Sequence, residues 1–349
     1  MLIYGILKRM SATQTIDQIG AEKWNQFIAS TNNGSIHQTT MWANFQRTLK
    51  NRGEVINIGL LKNDKLVAAG LAVRMRTRLP GIDWYYCARG PVYSNKNDGY
   101  EILVALEKKV AEKGGAFLRY DPYVLSDENF DYLSKKNQII DKQNFHPLDS
   151  LLLDISPSTD EIFANMKKRT RYNIRMSEKQ GVTVESYDGK SVQPKQIDSF
   201  YQLLTGTADR DNFTSHGKNY YADFMSSLGS NARLFIASFG GEPIAASIIT
   251  TFGDTAIYYF AASSDKPEHR KIMPNYLLQA EMIRHAKTKD CTNYDLFGIS
   301  PENEPNHKYA GIGHFKMMFG GRRVQYQTGK DIILSQAKTK LYWAAKRIL

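Results

Sequence analysis

The sequence predicts an α+β protein built from two tandem domains of one internal plan, and three observations lead there. The chain is 349 residues long, more than one ordinary compact domain requires and enough for two buried cores. Hydrophobic residues at 42% and charged residues at 23% are those of a globular protein. Most informative, the chain aligns with itself at an offset of about 175 residues, the mark of an internal duplication.

The repeated elements come in a fixed order. Residues 58–73 (IGLLKNDKLVAAGLAV) lie over 235–250 (FIASFGGEPIAASIIT), each reading strand, tight polar turn, strand. The turns fall at Lys62-Asn63-Asp64-Lys65 and at Gly240-Gly241-Glu242. A strand at 84–88 (WYYCA) lies over 257–261 (IYYFA), and 100–113 lies over 276–289 with apolar residues at helical spacing. A last strand, 116–120 before Asp121-Pro122, matches 294–297 before Gly298, where the chain must turn. Hairpin, strand, helix, strand is the order in the central part of a GNAT-like acyltransferase sheet. Its double occurrence predicts two tandem GNAT-like domains: 12–155, completed by the C-terminal segment 325–349, and 156–324. Ahead of the second copy, 159–180 reads as one helix, with Asp160 and Glu161 in its first turn and Gly181 just past its end. The tail, 334–349, reads as another helix, with Ala337, Leu341, Ala344, Ala345 and Ile348 on one face and Lys338, Lys340, Lys346 and Arg347 elsewhere.

Composition narrows the function classes. No run reaches the ~18 apolar residues of a membrane span, and the apolar start, 1–7, is shorter than a signal h-region and lacks a basic n-region. A cytoplasmic protein is expected. The two cysteines, Cys87 and Cys291, sit in strand-like segments, the histidines have no metal-ligand spacing, and no serine or cysteine triad can be assembled. The net charge of +11 suits a polyanionic partner, be it nucleic acid, anionic lipid or a nucleotide-sugar, and also suits solubility alone.

An acetyl-CoA-dependent enzyme of this plan would hold the pyrophosphate on a glycine-rich loop between the central strand and the next helix. The second copy has no glycine between Ser263 and Tyr276, and the first offers only Gly90-Pro91 and then 95–99. The nearest match, Lys308-Tyr-Ala-Gly311-Ile-Gly313, follows the last strand and begins with lysine. An activated acyl donor of another kind is therefore expected.

Several stretches together carry a family resemblance from about Trp24 to Asp331. They are Gln38-Thr-Thr-Met-Trp42-Ala, Ala88-Arg89-Gly90-Pro91-Val92, Leu118-Arg119-Tyr120-Asp121-Pro122 and Lys168-Arg169-Thr170-Arg171-Tyr-Asn-Ile174-Arg175. Then follow Ala208-Asp-Arg210-Asp-Asn-Phe213 with Tyr220-Tyr221, Tyr294-Asp295-Leu-Phe-Gly298-Ile299 and Phe315-Lys316-Met-Met-Phe319-Gly320-Gly321. In this order they resemble the FemABX family, the peptidoglycan interpeptide-bridge aminoacyltransferases, in its compact form without a coiled-coil arm. The resemblance implies two GNAT-like domains, aminoacyl-tRNA as donor co-substrate with no other cofactor and no metal, and an amine of a peptidoglycan precursor as acceptor. A monomer is expected.

The same resemblance suggests residues. Lys316 matches the family lysine that meets the tRNA end and stabilises developing negative charge, against the plain alternative of an ordinary exposed lysine. Asp121 matches an aspartate near the acceptor, as a base or an amine-orienting group, against a turn-forming Asp before Pro. Substrate-binding positions would be Gln38, Trp42, Gln46, Arg210, His216, Tyr220, Tyr258, Tyr259 and Phe315. Lys167, Lys168, Arg169 and Arg171, on a helix continuing through Arg175 and Lys179, would contact tRNA phosphates or simply form a solvated face. Three departures stand out: Asn44 and Gln46 where a basic residue is expected, His216 in place of arginine, and Phe260 in place of a phenol. The two missing cations leave room for a lipid-linked acceptor, and then the tail helix would either lie at the anionic inner leaflet of the membrane or pack back on the first domain. Two other functions remain open: acyl transfer from a different donor on the same fold, and nonenzymatic RNA or membrane binding.

Overall fold

Each copy of the repeat folds into its own sheet. The computed structural model describes residues 11–128, 130, 138–140, 145–304, 306–307 and 309–348; the apolar start at 1–7, Lys308 and Leu349 lie outside them. The chain divides into two units, 1–148 with 325–349, and 149–324.

In the first unit, β1 (Ser11–Gln14) leads to α1 (Ile16–Ile19), α2 (Ala21–Ala29) and α3 (Thr40–Thr48). The hairpin β2 (Arg52–Lys62) and β3 (Lys65–Met75) follows, then β4 (Trp84–Cys87), the short β5 (Val92–Tyr93), α4 (Lys96–Glu112), β6 (Phe117–Tyr120) and β7 (Gln138–Ile140). The second unit begins with β8 (Asp149–Asp154), α5 (Thr159–Asn165), α6 (Lys168–Lys179), β9 (Thr183–Asp188), α7 (Pro194–Asp211) and α8 (Lys218–Leu228). It continues with the hairpin β10 (Ala232–Phe239) and β11 (Glu242–Phe252), then β12 (Thr255–Ser263), α9 (Pro267–Lys271), α10 (Pro274–Lys287), β13 (Asn293–Asp295), α11 (Ala310–Met317) and β14 (Arg322–Gln325). The chain then returns to the first unit with β15 (Lys330–Ile333) and α12 (Gln336–Ile348).

The first sheet has the order β1-β2-β3-β4-β6-β15-β7 and the second β14-β8-β13-β12-β11-β10-β9. In both, an antiparallel hairpin is followed by an antiparallel strand and then a parallel one: β4 with β6, β12 with β13. The parallel step requires a crossover, which α4 and α10 supply. Both hairpins close with two left-handed residues, Asn63 and Asp64 at φ 50° and 59°, and Gly240 and Gly241 at 57° and 82°. That geometry matches the twist of the strands it joins. The last strand of each repeat would be left with an open edge, which β15 covers on β6 and β8 covers on β13, both antiparallel. The pairing of β8 explains why the boundary falls at 148/149 rather than at 155/156.

Two helices differ from the sequence reading. The helix expected over 159–180 is broken at Met166 and Lys167, whose ψ of 157° and 144° are extended. The break drops Met166 into the core at 2% exposure, and Arg171 covers the end of α5 by donating from Nη1 to Ala164 O at 2.8 Å and also to Met166 O. Past α6, Gly181 turns the chain at φ 88°, a value that favours glycine. The tail helix presents Ala337, Leu341 and Ala344 to solvent, Leu341 at 57%. Its packed side is Thr339, Tyr342 and Trp343, with Tyr342 5.3 Å from Phe117 and 6.1 Å from Trp84 between ring centroids. The tail helix does pack back on the first domain, but through these aromatic residues rather than the expected aliphatic stripe, because they carry the larger apolar area.

Candidate functional site

Each unit brings polar residues together where its parallel strand ends. In the second unit β13 ends in Asp295, and Phe297 just beyond it takes a left-handed φ of 55°. A side chain other than glycine in that region costs on the order of 1–3 kcal/mol. Asp295 Oδ1 offsets this by accepting from Phe297 N at 2.7 Å, and Ser150 Oγ also donates to it. Lys316, on α11, points into the same turn: Nζ donates to Gly298 O at 2.8 Å and to Phe297 O, and lies 5.6 Å from the centre of the Tyr258 ring. Lys316 is 5% exposed. Burial brings its pKa down from 10.5 to about 7, against the pull of Asp295. It is therefore no ordinary surface lysine, and near neutrality it exchanges a proton readily.

Around this turn lies an aromatic wall. Tyr259 stacks on Phe297 with centroids 5.4 Å apart and meets Phe260 at 4.8 Å; Phe260 meets Tyr220 at 6.3 Å, and Tyr220 stacks on the exposed His216 at 3.8 Å. Of the expected substrate-binding residues, the structure therefore strings His216, Tyr220 and Tyr259 into one series ending at Lys316. Tyr258 is buried, and burial pushes its hydroxyl up to about 12. Phe315 packs into the core against Tyr276 and Phe319. Arg210 is held bidentately by Asp211 at 2.8 and 2.9 Å and donates to Ser263 O at 3.2 Å, so its fork is already engaged. The glycines of the weak phosphate-loop match, Gly311 and Gly313, lie within α11 rather than in a loop.

The first unit repeats the device. Arg89, just after β4, has φ 47°, and its N–H donates to Asp121 Oδ1 at 2.6 Å. Asp121 Oδ2 accepts from the Tyr86 hydroxyl at 2.7 Å and lies 3.2 Å from His146 Nδ1, which is 2.8 Å from the Tyr86 oxygen. Tyr86 has one proton and gives it to Asp121, so the proton between Tyr86 and His146 belongs to the imidazole, which is then the Nδ1–H tautomer. Burial alone would raise Asp121, but the hydrogen bond and charge of His146, with Arg89 and Tyr86, hold it below the usual carboxylate value. Burial keeps His146 and His37 below the ordinary imidazole value. His37 packs edge-on to His146 at 4.6 Å and to Trp42 at 4.4 Å. The Arg89 guanidinium donates to Pro147 O at 2.8 Å and lies 4.5 Å from the Tyr326 ring centre.

This geometry corrects several expectations. Asp121 already accepts from Arg89 N and the Tyr86 hydroxyl, and a carboxylate held below its ordinary pKa is a weaker base. Gln38 is wholly buried: its amide donates to Ala88 O at 2.7 Å and Leu71 O at 3.2 Å and accepts from Leu71 N at 2.7 Å. It ties β3 to the end of β4 and has nothing left for a substrate. Trp42 is buried beside His37 and Phe45, and Gln46 accepts from Arg52 Nε at 3.3 Å. Among the described residues no group of three or more His, Cys, Asp or Glu side chains gathers as metal ligands. On the basic helix, Lys167, Lys168 and Arg169 are exposed, whereas Arg171 caps α5. Sequence reasoning missed Tyr86, His37 and His146 in the Asp121 cluster; Arg89 stood inside a quoted motif, but nothing local pointed to His146, which meets Tyr86 across 60 positions.

Comparison with known proteins agrees with this architecture. Residues 19–151 match the FemAB family and residues 164–309 match the acetyltransferase (GNAT) domain. A UDP-N-acetylmuramoylpentapeptide-lysine N(6)-alanyltransferase of Weissella viridescens is 23% identical over 317 residues, spanning 87% of this chain and 90% of its own length. A lipid II:glycine glycyltransferase of Staphylococcus haemolyticus (strain JCSC1435) is 21% identical over 395 residues, spanning 90% and 92%. The crystal structure of FemX superposes with a TM-score of 0.82 at 18% identity, covering 95% of this chain and 99% of that one. Two sheets of the GNAT plan in tandem, a match to the FemAB family in the first half and to the acetyltransferase (GNAT) domain in the second, and relatives that align over about nine-tenths of their length together make the chain similar to FemAB proteins over nearly its whole extent.

Proposed function

We propose that this protein is an aminoacyltransferase that adds an amino acid from aminoacyl-tRNA to the stem peptide of a peptidoglycan precursor, in interpeptide-bridge formation. The observation that carries this reading is the near full-length match to an alanyltransferase and a glycyltransferase whose names specify a muramyl-pentapeptide and lipid II. The absence of any glycine in the loop from β12 to α10 supports a donor other than coenzyme A.

The chemistry asks for little beyond positioning. An amine attacks the ester carbonyl of the donor, a C–N bond forms, the C–O bond to the ribose breaks, the amine loses a proton and the ribose oxygen gains one. Lys316, with a pKa near 7 in a buried turn, can stabilise the developing oxyanion when charged and hand a proton to the leaving oxygen. The wall of Tyr259, Tyr220 and His216 supplies flat surfaces for a sugar or peptide. Asp121, ionised, suits orientation of a cationic amine. Recognition of a lipid-linked precursor would bring the enzyme to the inner membrane surface, for which the basic residues and exposed Leu341 of α12 are suited.

The test is incubation with alanyl-, glycyl- and seryl-tRNA against both lipid II and UDP-MurNAc-pentapeptide, read by product mass. One pair should give a mass increment of the donated residue; none doing so would reject the reading.

A further inference from the structure

The solvent face of α6 combines positive charge with one aromatic ring. Lys168, Tyr172, Arg175 and Lys179 recur at i, i+4, i+7 and i+11, which places them on one stripe of the helix, with Arg169 beside it. All five are exposed, Tyr172 at 61%. The rise of ~1.5 Å per residue makes the stripe about 16 Å long.

Two features separate this face from an ordinary solvated one. Several lysines elsewhere are matched by acids: Lys62 with Asp98, Lys109 with Glu112, Lys218 with Asp198 and Lys266 with Glu242. Among the described residues no ion pair includes Lys168, Arg169, Arg175 or Lys179, and the one acid of the helix, Glu178, lies 3.9 Å from Arg284 instead. Tyr172 in turn enters none of the ring contacts that engage the tyrosines of the aromatic wall, and its ring stands in water amid these cations.

The stripe is also fixed to the candidate site. On the buried side of α6, Thr170 Oγ1 donates to Met318 O at 2.6 Å, two residues beyond Lys316. One hydrogen bond thus joins the first turn of the basic helix to the residue that ends the helix bearing Lys316.

We infer that the α6 face binds single-stranded RNA, with Tyr172 as a stacking platform for one base and Lys168, Arg169, Arg175 and Lys179 on the flanking phosphates. Unpaired cations around a solvent-exposed ring are the combination by which proteins hold unpaired nucleotides, because every base has a π-face and every linkage a charge. The inference rests on the aminoacyl-tRNA reading and specifies it: the single-stranded end of the donor lies along α6, next to the turn that holds Lys316. An anionic membrane would want a broad apolar face beneath the charges. α6 exposes no aliphatic side chain.

The test uses the full chain and an end-labelled short single-stranded RNA ending in cytidine-cytidine-adenosine, followed by fluorescence anisotropy at several salt concentrations. Tyr172→Ala should weaken binding about 5- to 150-fold, and Tyr172→Phe should restore it. Replacing Lys168, Arg175 and Lys179 together by glutamine should make the salt dependence shallower by about 2 in log–log slope. Arg171→Gln, whose side chain caps α5, should leave that slope unchanged. In the transfer assay Tyr172→Ala should raise KM for aminoacyl-tRNA. Equal RNA affinity for wild type and Tyr172→Ala overturns the inference, as does a loss of binding to phosphatidylglycerol vesicles without loss of RNA binding. If wild type transfers from aminoacyl-tRNA while Tyr172→Ala keeps its KM, only the stacking role fails; if wild type transfers from no aminoacyl-tRNA, the donor reading fails with it.

Discussion

Replacing Lys316 by methionine should change the pH dependence of stability in the second unit, and by a calculable amount. Burial lowers this amine from 10.5 to about 7, and at ~1.4 kcal/mol per unit the ionised form costs about 5 kcal/mol. Below about pH 7 both folded and unfolded chains carry the proton, and the whole cost is present. Between about 7 and 10.5 only the unfolded chain binds it, so wild-type stability rises with pH by up to ~1.4 kcal/mol per unit. From about pH 7 to about pH 9 the wild type should gain about 2 kcal/mol relative to Lys316→Met, in which nothing at this position titrates. A single pH would mislead, because methionine also leaves Phe297 O and Gly298 O without their donor, at ~1–3 kcal/mol each. That loss is nearly constant with pH and cancels in the slope. All 4 tryptophans, at 24, 42, 84 and 343, lie in the first unit, so their fluorescence would miss the effect. Urea unfolding followed by hydrogen exchange of peptides from β12 and α10 reports it. Parallel pH curves for the two proteins would refute the depressed pKa, and with it the view of Lys316 as a proton-exchanging group at neutral pH.

Other perturbations test the remaining parts. Gln38→Leu should destabilise the first unit by about 3 kcal/mol, since it strands Leu71 N and two carbonyl oxygens, a change readable in the urea midpoint by tryptophan fluorescence. His37 and His146 are held below their ordinary value, so the unfolded chain takes up protons first as pH falls below ~6.5; first-unit stability should drop there, and His146→Gln should flatten that acid limb. A drop as steep in the variant would show the imidazole to be freely protonated. Leu341→Glu, at an exposed position, should leave the melting temperature unchanged and reduce sedimentation with phosphatidylglycerol vesicles; vesicle binding unaffected by this change would remove α12 from the membrane surface.

Much of the fold was legible because it is written twice. The hairpins, the helix and the last strand of each copy follow from local signals, period-2 and period-3.6 apolar spacing and residues that accept a left-handed turn, and the second copy corroborates the first. The break between α5 and α6 was not legible, because propensity alone favours one continuous helix. What decides against it is long-range, the burial of Met166 and the bond from Thr170 to Met318.

For the candidate site the division is similar. The sequence placed Asp121 just past the end of a repeated strand, singled out Lys316 by its motif, and showed that the segment forming α6 is basic. Only the tertiary structure decided what those residues are: burial makes Lys316 a titrating amine, three neighbours make Asp121 a fixed anion, and Arg171 is spent on capping while Tyr172 stands in water. The physical reason is that residue type fixes the chemistry a side chain can perform, whereas pKa, pairing and exposure depend on desolvation and partners, and those are supplied by segments distant in sequence.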